Sequence, residues 1–361
     1  MQCMEVWGGN RAADAGVVMP GLDVWVYSLP YLEVHRAGEG DRAGDDARAG
    51  TSAGDAPRPP GAGGSLAPAT VVDDRVGGDV HFVSSCGTGR IARMMVADVS
   101  GHGPSASSVA IGLRTLMRRF VNYLDQTAFV EALNRSFGEA DQGGRFATSV
   151  AMTFFAPTAR LDVCNAGHPR PLLRRAGSGS WEFLDPSCLA PRGRRGAAAP
   201  SDDGGITNLP LGSLEPTRYE QFGLELARGD LVLVYTDALV EARAPSGELL
   251  GEEGLRRILD GLAAPDPAAL IPAILAAIEG WRAGVPPDDD VTLLLLRSNG
   301  SARQAPILRR LAASVRFLGI LLRNCVPVGE RPPIPWPEPR LENIVGAAIP
   351  RVARRWRAGR I

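Results

Sequence analysis

Three apolar runs in this chain each meet a carboxylate at one edge, and they decide most of what it can fold into. Met94-Met95-Val96-Ala97 ends in Asp98, and Leu231-Val232-Leu233-Val234-Tyr235-Thr236 ends in Asp237. Asp288-Asp289-Asp290 opens into Val291-Thr292-Leu293-Leu294-Leu295-Leu296. Short apolar runs of this composition read as strands buried on both faces. A strand anchored in a packed core holds its terminal side chain rigidly, as a site requires. Two of the carboxylates leave at C-terminal ends and one at an N-terminal end; in antiparallel neighbours those ends coincide.

Carboxylates that converge repel one another. At ~4 Å and an effective dielectric of about 20, each pair costs on the order of 4 kcal/mol. Either some protonate or a divalent cation neutralises them. Donors that are all hard oxygens select Mg²⁺ or Mn²⁺ over zinc or copper. A lone Asp at a strand edge is ordinarily a turn residue; three of them, beside the glycine-rich loop at Ser100–Gly103, favour a site.

The rest of the pattern supplies the frame. Leu22–Tyr31, Val80–Cys86, Arg90–Ala97, Phe146–Phe155, Arg160–Asn165, Pro171–Arg175 and Tyr219–Leu226 read as further strands, with Gly87-Thr88-Gly89 a hairpin signal. Pro104 to Val121, Thr127–Ala140, Gly251–Leu262 and Pro267–Arg282 read as helices. Two pairs of helices among many strands, with no regular β-α-β alternation, predict an α+β chain: two mainly antiparallel sheets packed together and flanked by helices.

Residues 1–35 hold a first strand that belongs with the main domain. Residues 36–70 have almost no large apolar side chains except Leu66 and read as a disordered insert. Residues 71–297 form the main domain. Residues 298–361 form an Arg-rich extension, and from 301 onward twelve Arg stand against Glu330, Glu338 and Glu342. The whole chain has net charge −1, so the preceding residues sum to −10. That excludes whole-molecule attraction to nucleic acid. Leu308, Leu311, Ala312, Val315, Leu318 and Leu322 would share one face of a basic helix. Such a helix can dock on the acidic body or a partner, or lie on an anionic membrane. Every basic residue is Arg, which reads as genomic composition. Five scattered cysteines (Cys3, Cys86, Cys164, Cys188, Cys325) without C-x-x-C spacing argue against a disulfide framework or zinc site and predict a reducing compartment. No leader is visible and no apolar run reaches the ~20 residues that span a bilayer, so a cytoplasmic location is expected.

Asp98-Val99-Ser100-Gly101-His102-Gly103 follows a buried strand and precedes a helix; its glycines let the backbone turn tightly near an ion or phosphate. With Gly77-Gly78-Asp79, Asn165-Ala166-Gly167-His168-Pro169, Leu209-Pro210-Leu211-Gly212, Tyr235-Thr236-Asp237 and Asp289-Asp290-Val291-Thr292 in order, the chain resembles the SpoIIE-type phosphatases of the protein phosphatase 2C superfamily from about residue 20 to 297. The resemblance implies an αββα sandwich and a serine/threonine phosphatase with two Mn²⁺ or Mg²⁺ ions. Asp98 would bridge the ions, the Val99 carbonyl would reach one, and Asp237 and Asp289 would complete the other's shell. Asp79 would orient metal-bound water or bind a metal itself. A hydroxide between the ions would attack phosphorus in line. The substrate would be a phosphorylated regulatory protein of the anti-anti-sigma type. His81 and Phe82 stand where Tyr and Asp are common, and Ala238 where Gly is usual. A phosphatase-fold binding module that has lost turnover, or a phosphatase of small metabolites, remains an alternative. His102 could donate a proton to the leaving oxygen, with a structural role favoured. His168 is expected to hold its turn through side-chain hydrogen bonds. Ser100 lacks any base at a recognisable offset.

Overall fold

Alternation along the central strands sorts their side chains into layers. The computed structural model describes residues 4–5, 16–30, 77–86, 89–101, 104–123, 125–140, 144–186, 207–214, 217–262 and 266–301. The 36–70 insert, the helix expected over 307–323, and His102 lie outside them. The described elements, in chain order, are β1 (Met4–Glu5), β2 (Val17–Met19), β3 (Leu22–Leu29), β4 (Asp79–Ser85), β5 (Ile91–Val99), α1 (Pro104–Phe120), α2 (Gln126–Ala140), β6 (Ala147–Phe155), β7 (Arg160–Ala166), β8 (Leu172–Arg174), β9 (Glu182–Phe183), β10 (Phe222–Glu225), β11 (Leu231–Tyr235), α3 (Gly251–Gly261), α4 (Pro267–Arg282) and β12 (Val291–Ser298).

The strands form two six-stranded sheets, ordered β1-β4-β5-β6-β7-β10 and β2-β3-β12-β11-β8-β9. All ladder pairings between these strands are antiparallel. Met94, Val96, Val150 and Met152 of the first sheet pack against Val232, Val234, Leu294 and Leu296 of the second, so the central layer is apolar. The alternate residues point outward. Phe82, Met95 and Ala97 meet Leu113 and Met117 of α1 and Phe129 and Leu133 of α2. Leu233, Tyr235, Leu293 and Leu295 meet Leu255 of α3 and Ile271 and Ile274 of α4. The result is the expected αββα sandwich.

Boundaries follow local chemistry. Helix α4 begins where the Asp266 side chain accepts from the Ala268 N–H at 3.0 Å and Pro267 occupies the first turn. The β4–β5 hairpin closes with Cys86 N–H donating to the Ile91 carbonyl at 2.8 Å, and Gly89 takes the left-handed φ of 67° that its turn needs. The short strands β1, β2 and β9 have two or three residues each and leave no periodicity to read in the sequence.

Candidate active site

The antiparallel order brings one end of each central strand to a common edge. In the first sheet Asp79 opens β4 and pairs in register with Asp98 near the end of β5, so both carboxylates leave the same sheet face. In the second sheet β11 runs into Thr236 and Asp237, while Asp289 and Asp290 lead into β12; Tyr235 pairs with Leu293. Asp237 starts a short 3-10 turn through Leu239, and the Glu241 N–H donates to the Asp237 carbonyl at 2.8 Å. That i,i+4 relation puts Glu241 one turn away, on the same side.

The two sheets are joined at this edge by polar contacts. Thr236 Oγ1 donates to Asp79 Oδ2 at 3.0 Å. Asp290 Oδ2 accepts from the Gly78 N–H and from the Asp79 N–H, the latter at 3.3 Å. A β carbon at Gly77 would collide with the Asp290 carboxylate, so glycine is required for this clamp to form. A β carbon at Gly78 would sit 3.0 Å from the Val99 carbonyl oxygen and 3.4 Å from that of Gly101, placing both oxygens against the same short segment. The Asp290 N–H donates to Asp289 Oδ1 at 2.8 Å.

Electrostatics show which carboxylates face one another. The Asp98 carboxyl is pushed up to about 7, first by burial and then by Asp237, Asp289, Asp290 and Glu241. Asp237 is pushed up to about 6 by burial, then by Asp289 and Glu241. Burial is also the main cause for Asp289, with Asp290, Asp288 and Glu241 adding to it against a backbone hydrogen bond. Asp79 is raised by burial and by Asp98 and Asp290, while the hydroxyls of Thr292 and Thr236 act in the opposite sense. The four predicted aspartates therefore gather with Asp290 and Glu241 into one field of mutually repelling negative charge. The donor set is entirely hard oxygen, which suits a hard divalent cation. Among the described residues no group of three or more His, Cys, Asp or Glu side chains lies close enough together to hold a metal ion.

The neighbouring motifs are structural. Ser100 N–H donates to the Phe146 carbonyl at 2.9 Å, and Ser100 Oγ accepts from the Phe146 N–H at 3.1 Å, which pins the loop to the start of β6. The turn after β7 is held by Asn165, not by His168 as expected: its side chain donates to the His168 carbonyl and accepts from the His168 N–H, both at 2.8 Å. The His168 imidazole instead bonds Thr148 of β6, Nδ1 to Oγ1 at 2.9 Å. Burial pushes that imidazole down to about 3 against an opposing hydrogen bond to the Tyr235 backbone, so it is neutral. Phe82 is buried beneath the helices on the outer face of β4, away from the carboxylates. Ala238 is absent from the left-handed region, so the backbone there does not need glycine. Asp290, Glu241 and Thr236 were not singled out by sequence reasoning. The i,i+4 spacing from Asp237 was the available signal for Glu241; for Thr236 there was none beyond its place beside Asp237.

A sandwich of two antiparallel sheets with helices on both outer faces and acidic groups at one edge is the protein phosphatase 2C architecture. Residues 88–193 and 192–299 match the profile of Stage II sporulation protein E (SpoIIE), more than half of the chain, and the protein belongs to that family. It is 23% identical over 156 residues to the phosphoserine phosphatase RsbP of Bacillus subtilis (strain 168), a match covering 42% of this chain and 34% of RsbP. The chain thus matches about a third of that relative's length. The fold is similar to the RsbU and RsbW domains of Rv1364c from Mycobacterium tuberculosis, with TM-score 0.52 and 21% identity over 87% of this chain and 72% of that one. It is also similar to the SiaA-PP2C domain of Pseudomonas aeruginosa, with TM-score 0.50 and 16% identity over 62% of this chain and 82% of that one. Family and fold together place the chain among SpoIIE-family proteins with the protein phosphatase 2C fold. No helix among the described residues is long and apolar enough to cross a membrane.

Proposed function

We propose that this protein is a metal-dependent serine/threonine phosphatase that hydrolyses phosphoserine or phosphothreonine on a regulatory partner protein of the anti-anti-sigma type. The observation that carries the reading is that the antiparallel strands bring Asp79, Asp98, Asp237 and Asp289 to one edge, where burial and the neighbouring Asp237 and Asp289 push Asp98 up, and burial and Asp289 push Asp237 up. Asp98, Asp237 and Asp289, with Asp79 and the Val99 carbonyl, would hold two Mn²⁺ or Mg²⁺ ions. Such ions, when bound, neutralise charge on phosphoryl oxygens and activate water. The chain's own residues orient the donors: β5, β11 and β12 fix the backbones, and Asp290 clamps the Gly77–Asp79 segment to the second sheet. A phosphate dianion is repelled by this edge unless its charge is offset, so the acidic field itself makes catalysis depend on cations.

The test is hydrolysis of p-nitrophenyl phosphate with and without MnCl₂, for wild type beside Asp98→Ala and Asp237→Ala. Turnover that needs Mn²⁺ and vanishes in both variants is expected; equal rates in all three overturn the assignment. Faster turnover of a phosphoserine peptide than of small phosphate esters is expected for a protein phosphatase. Mn²⁺ binding without turnover would instead establish the binding-module alternative.

A further inference from the structure

One hydroxyl at the acidic edge has little choice of partner. Thr236 is fully buried at the end of β11, and its N–H donates to the Thr292 carbonyl at 3.0 Å. Its Oγ1 accepts from the Thr292 N–H at 2.9 Å, which leaves a single proton to donate. Asp79 Oδ2 lies at 3.0 Å, while the carbonyls of Asp290 and Thr292 lie at 3.5 Å, the limit of a hydrogen bond. The carboxylate is the nearest and the strongest acceptor. Thr292 is tied in turn to Ser28 of β3, hydroxyl to hydroxyl at 3.1 Å. A hydroxyl anchored in the second sheet therefore grips a carboxylate rooted in the first.

We propose that Thr236 is a positioning residue: its hydroxyl, held by Thr292, fixes the Asp79 carboxylate across the gap between the sheets so that Asp79 and its register partner Asp98 address the same cation. The proposal rests on the two-cation reading of this edge. Backbone pairing places Asp79 beside Asp98, and the Thr236 hydroxyl, together with that of Thr292, restrains the buried Asp79 carboxyl from the opposite sheet. Groups that orient a metal's ligands typically change its affinity by 10–100-fold. Valine has the shape of threonine without the proton, and serine keeps the proton without the methyl.

The experiment is Mn²⁺ titration calorimetry on the full chain, beside thermal unfolding in EDTA. Thr236→Val is expected to weaken Mn²⁺ binding roughly tenfold or more, and Thr236→Ser to stay within about threefold of wild type. In an Asp79→Ala background, adding Thr236→Val should weaken binding no further, because the threonine acts through that carboxylate. Wild-type affinity in Thr236→Val, or an undiminished loss in the Asp79→Ala background, overturns the proposal; a lower melting temperature in EDTA with unchanged affinity marks a purely structural residue. If the valine variant does not fold, Thr236→Ser decides alone, and a tenfold loss there overturns it. A wild type that binds no Mn²⁺ removes the cation reading itself, and Asp98→Ala in the same titration tells that failure apart from one confined to Thr236.

Discussion

The two ends of the same sandwich treat their carboxylates in opposite ways. At the end away from the site, Asp23 meets Arg297 at 2.6 Å, Asp230 meets Arg175 at 2.7 Å and Asp162 meets Arg160 at 2.6 Å. Asp230 also accepts from the N–H groups of Ala176 and Ala227, each at 2.9 Å, and Asp23 accepts from Asn299 at 2.8 Å. At the other end Asp79, Asp98, Asp237 and Asp289 are in no ion pair with an arginine among the described residues, and the charges acting on them are negative. Strands β11 and β12 serve both ends, with Asp230 before β11 and Asp237 after it, so strand packing alone does not explain the contrast. Carboxylates answered by arginine hold the fold together; carboxylates gathered against one another do so at the expense of stability and make sense as a site for something cationic.

This contrast can be broken by substitution at each end. Asp98→Asn is expected to lower Mn²⁺-dependent turnover by roughly 10²-fold or more, the scale of losing a group that acts on developing charge. Asp23→Asn should leave turnover per folded molecule unchanged, and a comparable loss from it would dissolve the distinction. At the paired end, Asp230→Ala removes the common acceptor of two part-buried N–H groups and of Arg175, and should lower unfolding free energy by about 1–2 kcal/mol in urea titration.

Cations should sharpen the contrast next. In the unfolded chain Asp98 and Asp237 titrate near their ordinary 3.8, whereas the fold keeps them protonated up to about 7 and about 6. Their contribution to stability is therefore fully present below about 3.8 and is lost progressively as pH rises from there through about 6 and about 7. Mn²⁺ should raise the melting temperature by several degrees at pH 7.5 and by much less at pH 5.5, where protons compete for the same oxygens. A shift independent of pH would separate the binding site from these carboxylates.

The smallest expected effect comes from a buried imidazole. Burial, helped by Arg114, pushes His81 from 6.5 down to about 4. The unfolded chain takes up that proton first, so stability is full above 6.5 and declines as pH falls toward 4, by ~1 kcal/mol at pH 5.5. His81→Leu should shrink the loss of stability between pH 7.5 and 5.5. A slope unchanged in this variant would assign the acid sensitivity elsewhere, for instance to His168.

What could be read from the linear chain is what neighbouring residues decide among themselves. Continuous apolar runs made β11 and β12 strands, Pro267 marked the start of α4, and a carboxylate at each strand edge named Asp98, Asp237 and Asp289. Antiparallel pairing then makes strand ends coincide, so the location of the site was implicit in the pattern. The contacts that complete the site were not legible. Thr236 meets Asp79 across 157 residues of chain, and Asp290 meets Gly78 across 212. A period of two says which face a side chain leaves, but not which strand of the opposite sheet lies across from it. That choice belongs to how the two apolar faces interlock, and only the packed tertiary structure makes it.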